Sequence, residues 1–383
     1  PYGRQDIQQN DIDAVISVLN SDFLTQGPTV PKFEDTVKNY CGAEHAIAVN
    51  SATSALHISL LAIGIKSGDQ VWTSPNTFVA TANAALYCGA TIDFVDIDPS
   101  TYNLCPLALE KKLKIAKKKG SLPQVVIPVH LTGQPCDMRA IYNLSLKYGF
   151  KIIEDASHAI GGSYENEKIG NCKFSDITIF SFHPVKIITS AEGGMALTNN
   201  KVFYQRLKLF RSHGINRDPN SMTHKPDGPW YYEQVELGYN YRMNDIQAAI
   251  GLSQMDRIDD YIRRRHLIAK KYDINLRNTP IILPKQISQS HSSYHLYVVR
   301  LLNRHSVKHL DIFKSIRERG IIVNLHYIPV YRHPYYEKLG FSKEDFPHAE
   351  AYYKTAISLP IFPTLSDKDL QYVINTISEI LSK

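Results

Sequence analysis

Apolar and polar positions along this chain follow two periods. Residues 9–20, QNDIDAVISVLN, set Ile12, Val15, Ile16, Val18 and Leu19 near one face of a 3.6-residue repeat, which predicts a helix. Gly27 and Pro28 break that pattern, and a second helix is predicted over 30–40, up to a CGA turn. Beyond it, short apolar runs alternate with helical ones. AIAVN (46–50), QVWTSP (70–75), TIDFVDI (91–97), LPQVVIPVHL (122–131) and KIIEDA (151–156) read as strands. Helices are predicted over 51–63, 76–89 and 137–148. This is the rhythm of βα units and a largely parallel sheet.

The pattern then changes. DITIFSF and GGMALTN, within 176–198, read as short sheet strands that bracket a lysine-bearing loop. A polar and aromatic segment, 214–241, reads as a loop. MNDIQAAIGLSQMDRIDDYIRRRHLIAKKYDINL predicts one long helical stretch that links a large domain to a smaller one. The boundaries drawn are 1–250 for the large domain with its N-terminal arm, and 251–383 for the small C-terminal domain with the linking helix. The smaller domain carries SSYHLYVVRL, a helix near 306–319, GIIVNLHY and a final helix over 366–382.

Composition narrows the class. The 383 residues leave room for two domains, and 43% hydrophobic with 21% charged residues is ordinary for a soluble protein. A net charge of +6 suits anionic ligands, but no long basic block interleaves with aromatics, so nucleic acid is not expected as a partner. Cys41, Cys88, Cys105, Cys136 and Cys172 are scattered, odd in number and without a CxxC pair, which fits reduced thiols and a cytoplasmic protein. No run reads as a membrane span or a signal peptide.

Candidate chemistry gathers at a few places. Lys186 stands among small and hydroxyl-bearing residues in DITIFSFHPVKIITSAEGG (176–194). A surface lysine is the ordinary reading; a desolvated amine that makes a Schiff base is the other. Asp155 ends the strand KIIEDA, where a carboxylate is either a helix cap or the partner of a buried cation. Glu154 beside it would point the other way on a pleated strand. NSATSAL (50–56) joins a strand to a helix, and the backbone N–H groups of Ala52 and Thr53, with the Thr53 hydroxyl, could close on a phosphate; Ser54 is weaker. A plain Ser/Thr cap reads the same residues equally well. Gly193 and Gly194 mark a turn, and AEGG lacks the dinucleotide spacing. No metal signature is found: His291 and His295 are four apart in HSSYH without an acidic partner, so a core or surface pair is expected there.

The blocks EDASHAIGG, SFHPVKIITSAEGG and GYNYRMNDIQAAIGLSQ, with PYGRQ, LTQGPTVPKFE, NSATSAL and HYIPVY, extend this reading over essentially the whole chain. In them the chain resembles the pyridoxal-phosphate-dependent sugar aminotransferases, most closely those that aminate C4 of a nucleotide sugar for pseudaminic acid biosynthesis. The resemblance implies an α/β PLP-dependent transferase of fold type I, aspartate aminotransferase-like. That fold has a large domain with a mostly parallel central sheet and a small C-terminal α/β domain. It further implies a homodimer with shared active sites.

On this resemblance Lys186 is the Schiff-base lysine and proton carrier. Asp155 pairs with the pyridine nitrogen, His158 lies by the cofactor ring, and Phe78 stacks on it. Ala52, Thr53 and Ser181 hold the phosphate. Asn240 reaches the phosphate region of the neighbouring subunit, and Arg242 either acts there, toward substrate, or is structural. Gln26, His183, Arg211, His326, Tyr327 and Tyr331 fall in segments near the sugar or diphosphate; Tyr327 and Tyr331 read equally as core or interface residues. The implied reaction moves the amino group of L-glutamate, leaving 2-oxoglutarate, to a UDP-linked 4-keto-6-deoxy-N-acetylhexosamine, with pyridoxamine phosphate between the two halves. A lysine at 186 favours amino transfer over the dehydration associated with histidine there. The alternatives are an aminotransferase for a dTDP-linked 3- or 4-keto-6-deoxyhexose and a non-catalytic regulatory protein on the same fold.

Overall fold

The computed structural model describes residues 1–302 and 308–382. Two helices, α1 (Gln9–Leu19) and α2 (Thr29–Cys41), lead into an alternating region: β1 (His45–Val49), α3 (Ala52–Ile63), β2 (Gln70–Thr73), α4 (Val79–Tyr87), β3 (Thr91–Phe94), α5 (Pro106–Lys119), β4 (Val125–Ile127), α6 (Met138–Tyr148) and β5 (Lys151–Asp155). Next come β6 (Ser163–Tyr164), β7 (Glu167–Lys168), β8 (Ile177–Ser181), β9 (Gly194–Thr198), α7 (Lys201–Arg211), β10 (Ile215–Asn216), β11 (Glu233–Gln234), α8 (Asp245–Met255) and α9 (Ile258–Leu276). The chain ends with β12 (Ile281–Ile282), β13 (Ser290–His291), β14 (Tyr297–Leu301), α10 (His309–Glu318), α11 (Pro334–Glu337), α12 (Pro347–Tyr353), β15 (Ala356–Leu359) and α13 (Asp367–Leu381).

The central sheet has seven strands in the order β1-β9-β8-β5-β4-β2-β3. β3, β2, β4, β5 and β8 run parallel, and β9 is reversed against both β8 and β1. Its strands are apolar on both faces because helices cover both, as parallel sheets require. One core lies between the sheet and a layer that includes α2, α5, α6 and α8; a second includes α3, α4 and α7. A third, smaller core is built from α9, α10, α13 and the sheet β12-β14-β15.

The strand predicted over 122–131 is hydrogen-bonded as a ladder only at Val125–Ile127. Beyond it one parallel bridge pairs Val129 with Asp155, the His130 N–H donating to Asp155 O at 3.1 Å, before a short 3-10 turn at Leu131–Gly133. The single long helix expected after 243 is two. Arg257 leaves helical geometry (φ −112°, ψ 2°) and sends its guanidinium to the buried carboxylate of Asp11, at 2.9 and 2.7 Å. That long-range ion pair, between groups 14% and 1% exposed, overrides local periodicity. The helix expected over 306–319 is seen at His309–Glu318, and the expected start at 306–307 lies outside the described residues. In α1 the predicted apolar stripe is split: Val18 is buried and Val15 half-buried, whereas Ile12, Ile16 and Leu19 stay exposed in a single chain.

Candidate active site

A cavity of about 540 Å³ opens beside the C-terminal ends of β5 and β8, the edge where parallel sheets commonly bind ligands. Its wall includes Ala52, Thr53, Phe78, Asp155, His158, Ser181, His183, Lys186, His326 and Tyr327. Residues from the first eighty and from the 324–327 segment thus meet around one lysine.

Asp155 is 5% exposed, and both of its oxygens accept hydrogen bonds while it also lines the cavity. Its Oδ2 accepts from the Thr81 hydroxyl at 2.7 Å, and its Oδ1 accepts from the Ser157 hydroxyl at 2.6 Å and the Ser157 N–H at 3.1 Å. Glu154 points through the sheet the other way, as pleating dictates, to His130 Nε2 at 2.7 Å and the Ser175 hydroxyl at 2.5 Å. Desolvation would raise the Glu154 carboxyl, but His130, Ser175 and Thr178 together hold it below the ordinary value.

Lys186 sits in a turn after β8, its N–H donating to His183 O at 2.9 Å. Desolvation lowers its ammonium to about 8, against the opposing charge of Asp155. A substantial fraction of neutral amine therefore exists near physiological pH, which Schiff-base and proton-transfer chemistry need. His158 Nε2 lies 3.0 Å from the Tyr327 hydroxyl, while its Nδ1 is buried without a partner. Burial, then the Lys186 charge, keeps His158 neutral, well below its ordinary value. His326 is pushed down to about 3 by the same causes, and its Nδ1 lies 2.8 Å from the Ser358 hydroxyl.

The N-terminus of α3 supplies an anion seat. Ser51 caps the helix by accepting from Ser54 N–H at 3.1 Å, and Ala55 N–H goes to Ser51 O. The amides of Ala52 and Thr53 are left among the first-turn donors, at a point that lines the cavity. Gly194, the first residue of β9, fits tightly against this turn. A Cβ there would stand 2.5 Å from Ala52 N, so the glycine predicted to mark a turn instead permits a close backbone approach. An amine on Lys186, a buried carboxylate, an amide-rich helix end and the Ser181 hydroxyl match the aldehyde, ring nitrogen and phosphate of pyridoxal phosphate. The donor set fits that cofactor.

Several expected residues fall elsewhere. Tyr331 is 2% exposed and donates to Glu350 Oε1 at 2.9 Å within the core, away from the cavity wall. Arg211 is tied to Glu34 at 2.6 Å and to Ala48 O at 3.0 Å. Gln26 and Asn240 are exposed and Arg242 half-buried, all three outside this cavity; for Asn240 that is compatible with the expected reach to a neighbouring subunit, and the backbones of Asn240 and Arg242 bridge to Ser212 and Val49. Phe78 does line the cavity and is 59% exposed, its ring 6.2 Å from that of Tyr327.

Other residues escaped sequence reasoning. Ser157 and Thr81 hold Asp155; Ser157, two residues after an aspartate, had the spacing of an Asx turn as its only signal. Tyr2, Asn324 and Glu192 also line the wall. Asp245, fully buried, accepts from the N–H groups of Gly27, Thr29 and Val30 and so anchors the loop carrying Gln26. Among the described residues no cluster of three or more potential ligands could hold a metal, and no helix is long and apolar enough to cross a membrane.

A lysine and a carboxylate at the C-terminal edge of this seven-stranded sheet, with a helix N-terminus for the phosphate, define a pyridoxal-phosphate-dependent transferase of fold type I. The chain belongs to the DegT/DnrJ/EryC1/StrS aminotransferase family, whose model matches residues 5–378. It is 38% identical to the spore coat polysaccharide biosynthesis protein SpsC of Bacillus subtilis, over all of this chain and 97% of that protein. It is 37% identical to the UDP-4-amino-4,6-dideoxy-N-acetyl-beta-L-altrosamine transaminase of Campylobacter jejuni, again over all of this chain and 97% of the other. The putative sugar aminotransferase Spr1654 of Streptococcus pneumoniae, solved in its PMP form, superposes with a TM-score of 0.91 at 29% identity, covering all of this chain and 99% of that one. Its PLP form superposes at 0.90. The chain is a pyridoxal-phosphate-dependent aminotransferase.

Proposed function

We propose that this enzyme aminates C4 of a UDP-linked 4-keto-6-deoxy-N-acetylhexosamine, with L-glutamate as donor, in the pathway to pseudaminic acid. The observation that carries the reading is full-length likeness to the Campylobacter jejuni transaminase, combined with Lys186 in a cavity walled by hydroxyl, imidazole and amide groups. Such groups suit a polyhydroxylated sugar. When bound, the cofactor supplies an electron sink for the bond to the proton being lost. Lys186 Nζ takes the proton from the donor Cα in one half-reaction and delivers a proton to the sugar C4 in the other. Asp155 holds a cationic ring nitrogen, with Thr81 and Ser157 fixing its two oxygens. The amides of Ala52 and Thr53 and the Ser181 hydroxyl hold the phosphate.

The second reading takes a dTDP-linked 3- or 4-keto-6-deoxyhexose as acceptor. Arg211, expected near the sugar or diphosphate, is tied to Glu34, and the diphosphate is common to both nucleotides, so the acceptor panel has to separate the two readings. A homodimer with shared sites belongs to the same proposal. The uncovered Ile12, Ile16 and Leu19 and the exposed Asn240 are surfaces such a partner would cover. The deciding experiment offers L-glutamate with a panel of UDP- and dTDP-linked keto sugars and reads 2-oxoglutarate and amino-sugar mass. Turnover confined to dTDP sugars would replace the first reading with the second.

A further inference from the structure

Behind the cavity lie two buried basic side chains, His295 and Arg265, that the chemistry above does not use. His295 is 3% exposed and absent from the cavity wall, yet its ring packs against His158 with centroids 4.4 Å apart. Its Nδ1, like that of His158, is buried without a partner. The segment carrying it is strapped to the large domain. Ser293 Oγ donates to His158 O at 2.6 Å, Ser293 N–H to Gly133 O at 3.1 Å, and Leu296 N–H to Thr132 O at 3.1 Å. The fit leaves no slack: a Cβ on Gly133 would stand 2.2 Å from Ser293 Oγ and 2.8 Å from His158 O. Tyr294, inside the strap, adopts φ +47°, a conformation that surrounding contacts must hold in place.

Arg265 of α9 provides those contacts. It is 1% exposed, and its Nη1 donates to Tyr294 O at 3.1 Å, His295 O at 3.3 Å and Ile361 O at 2.9 Å. None of these acceptors is a carboxylate. Burying a guanidinium without a counter-ion costs several kcal/mol, and an apolar residue of similar volume would be cheaper. What the arginine adds is one nitrogen shared by three backbone carbonyls. The third link extends to the other side of the cavity: Ile361 N–H donates to Tyr2 O at 3.0 Å, and the Tyr2 ring lines the cavity edge-on to His326 at 4.7 Å.

We propose that Arg265 and His295 are positioning residues for the aminotransferase centre, with Arg265 clamping the Tyr294–His295 backbone and Ile361, and His295 bracing the ring of His158 beside Lys186. The inference rests on the reading of the Lys186 cavity as the cofactor site. Electrostatics agree with the geometry. Burial first, and then His158, Lys186 and Arg265, hold His295 neutral, so it can pack on His158 without adding a repelling charge. Lys186 and His326 act in the same sense on His158.

The test uses the full-length enzyme loaded with pyridoxal phosphate. His295→Leu removes the ring, His295→Phe keeps one, and Arg265→Lys and Arg265→Met keep and remove the donors. Four quantities are read: thermal unfolding, cofactor trapped on the Lys186 peptide by borohydride, the pH midpoint of the visible absorbance, and kcat and KM for L-glutamate. His295→Leu should fold and still trap cofactor on Lys186. Its absorbance midpoint should move by about half a pH unit. Its kcat should fall about ten- to a hundredfold with little change in KM, the penalty of a misplaced group. His295→Phe and Arg265→Lys should recover most of the loss. If Arg265→Met does not fold, the His295 pair decides. A His295→Leu enzyme with wild-type midpoint and kcat overturns the inference, as do equal losses in the Leu and Phe variants. Failure of the wild type to trap cofactor on Lys186 would instead overturn the reading of the site itself.

Discussion

Glu154 and Asp155 are consecutive residues of β5, both buried carboxylates, yet they serve opposite faces of the sheet. Glu154 lies on the face covered by α2, α5, α6 and α8, closed in by His130, Ser175 and Thr178. Asp155 lies on the cavity face, held by two hydroxyls and an N–H and open to a ligand. One carboxylate completes its partners within the fold. The other is held in position with room for a cation that the fold does not supply. Burial alone therefore does not mark a functional acid; what distinguishes the two is whether the partners close the site.

The largest expected effect comes from the residue facing Asp155 across this cavity. Lys186→Ala should abolish borohydride trapping and lower transamination by at least about 10²–10⁴-fold, the usual contribution of a positioned acid–base group. Retention of near wild-type turnover would break the comparison at its centre. Next comes the adjacent pair. Asp155→Asn should reduce kcat by about 10²-fold or more with a modest change in stability, because the lost charge acts on the ring nitrogen. Glu154→Gln should do the reverse: turnover per folded molecule within a few-fold of wild type, and a loss of about 2 kcal/mol in denaturant unfolding, since a charged hydrogen-bond acceptor is removed from a closed pocket. Swapped outcomes would show that the two faces have been assigned the wrong way round.

The smallest effects lie in pH dependence. The folded-state pKa of Glu154 is lowered, so its stabilisation is fully present above the unfolded carboxyl value and fades as pH falls through the folded one. Acid unfolding of Glu154→Gln should accordingly be less steep than that of wild type. On the cavity face, Lys186 at about 8 should make cofactor capture by the apoenzyme accelerate as pH rises toward 8 and level off above it. A capture rate still climbing steeply beyond about pH 9 would show that the amine is not desolvated, since an ordinary lysine ionises only at about 10.4.

Much of this was legible in the chain. The alternation of apolar runs placed β1, β2 and β5, whose interior positions are buried on both faces, and also β3, an edge strand with Thr91 exposed and Asp93 half-buried. Pleating alone sent Glu154 and Asp155 apart. Lys186, the NSATSAL turn and the family blocks marked the cofactor end, since that chemistry sits on short local segments at strand ends. The substrate end was less legible. Tyr331 and Arg211 stand in the right segments, but core packing and the Glu34 ion pair claim their side chains.

The sequence by itself determined the βα alternation of the large domain and the face of each carboxylate, set by periods of two to four residues along the backbone, while the reactive lysine was marked by its resemblance to the family blocks; α5 and α7 were not predicted. Tertiary structure decided the rest. It broke the long helix at Arg257 so that the guanidinium could reach Asp11, 246 residues away. It brought His295, four residues from an unrelated His291, onto His158, while His291 went to stack on His266 at 4.0 Å. It gathered three carbonyls around Arg265. These partners are distant along the chain, and only packing, which depends on volume, burial and the satisfaction of every buried polar group, selects them.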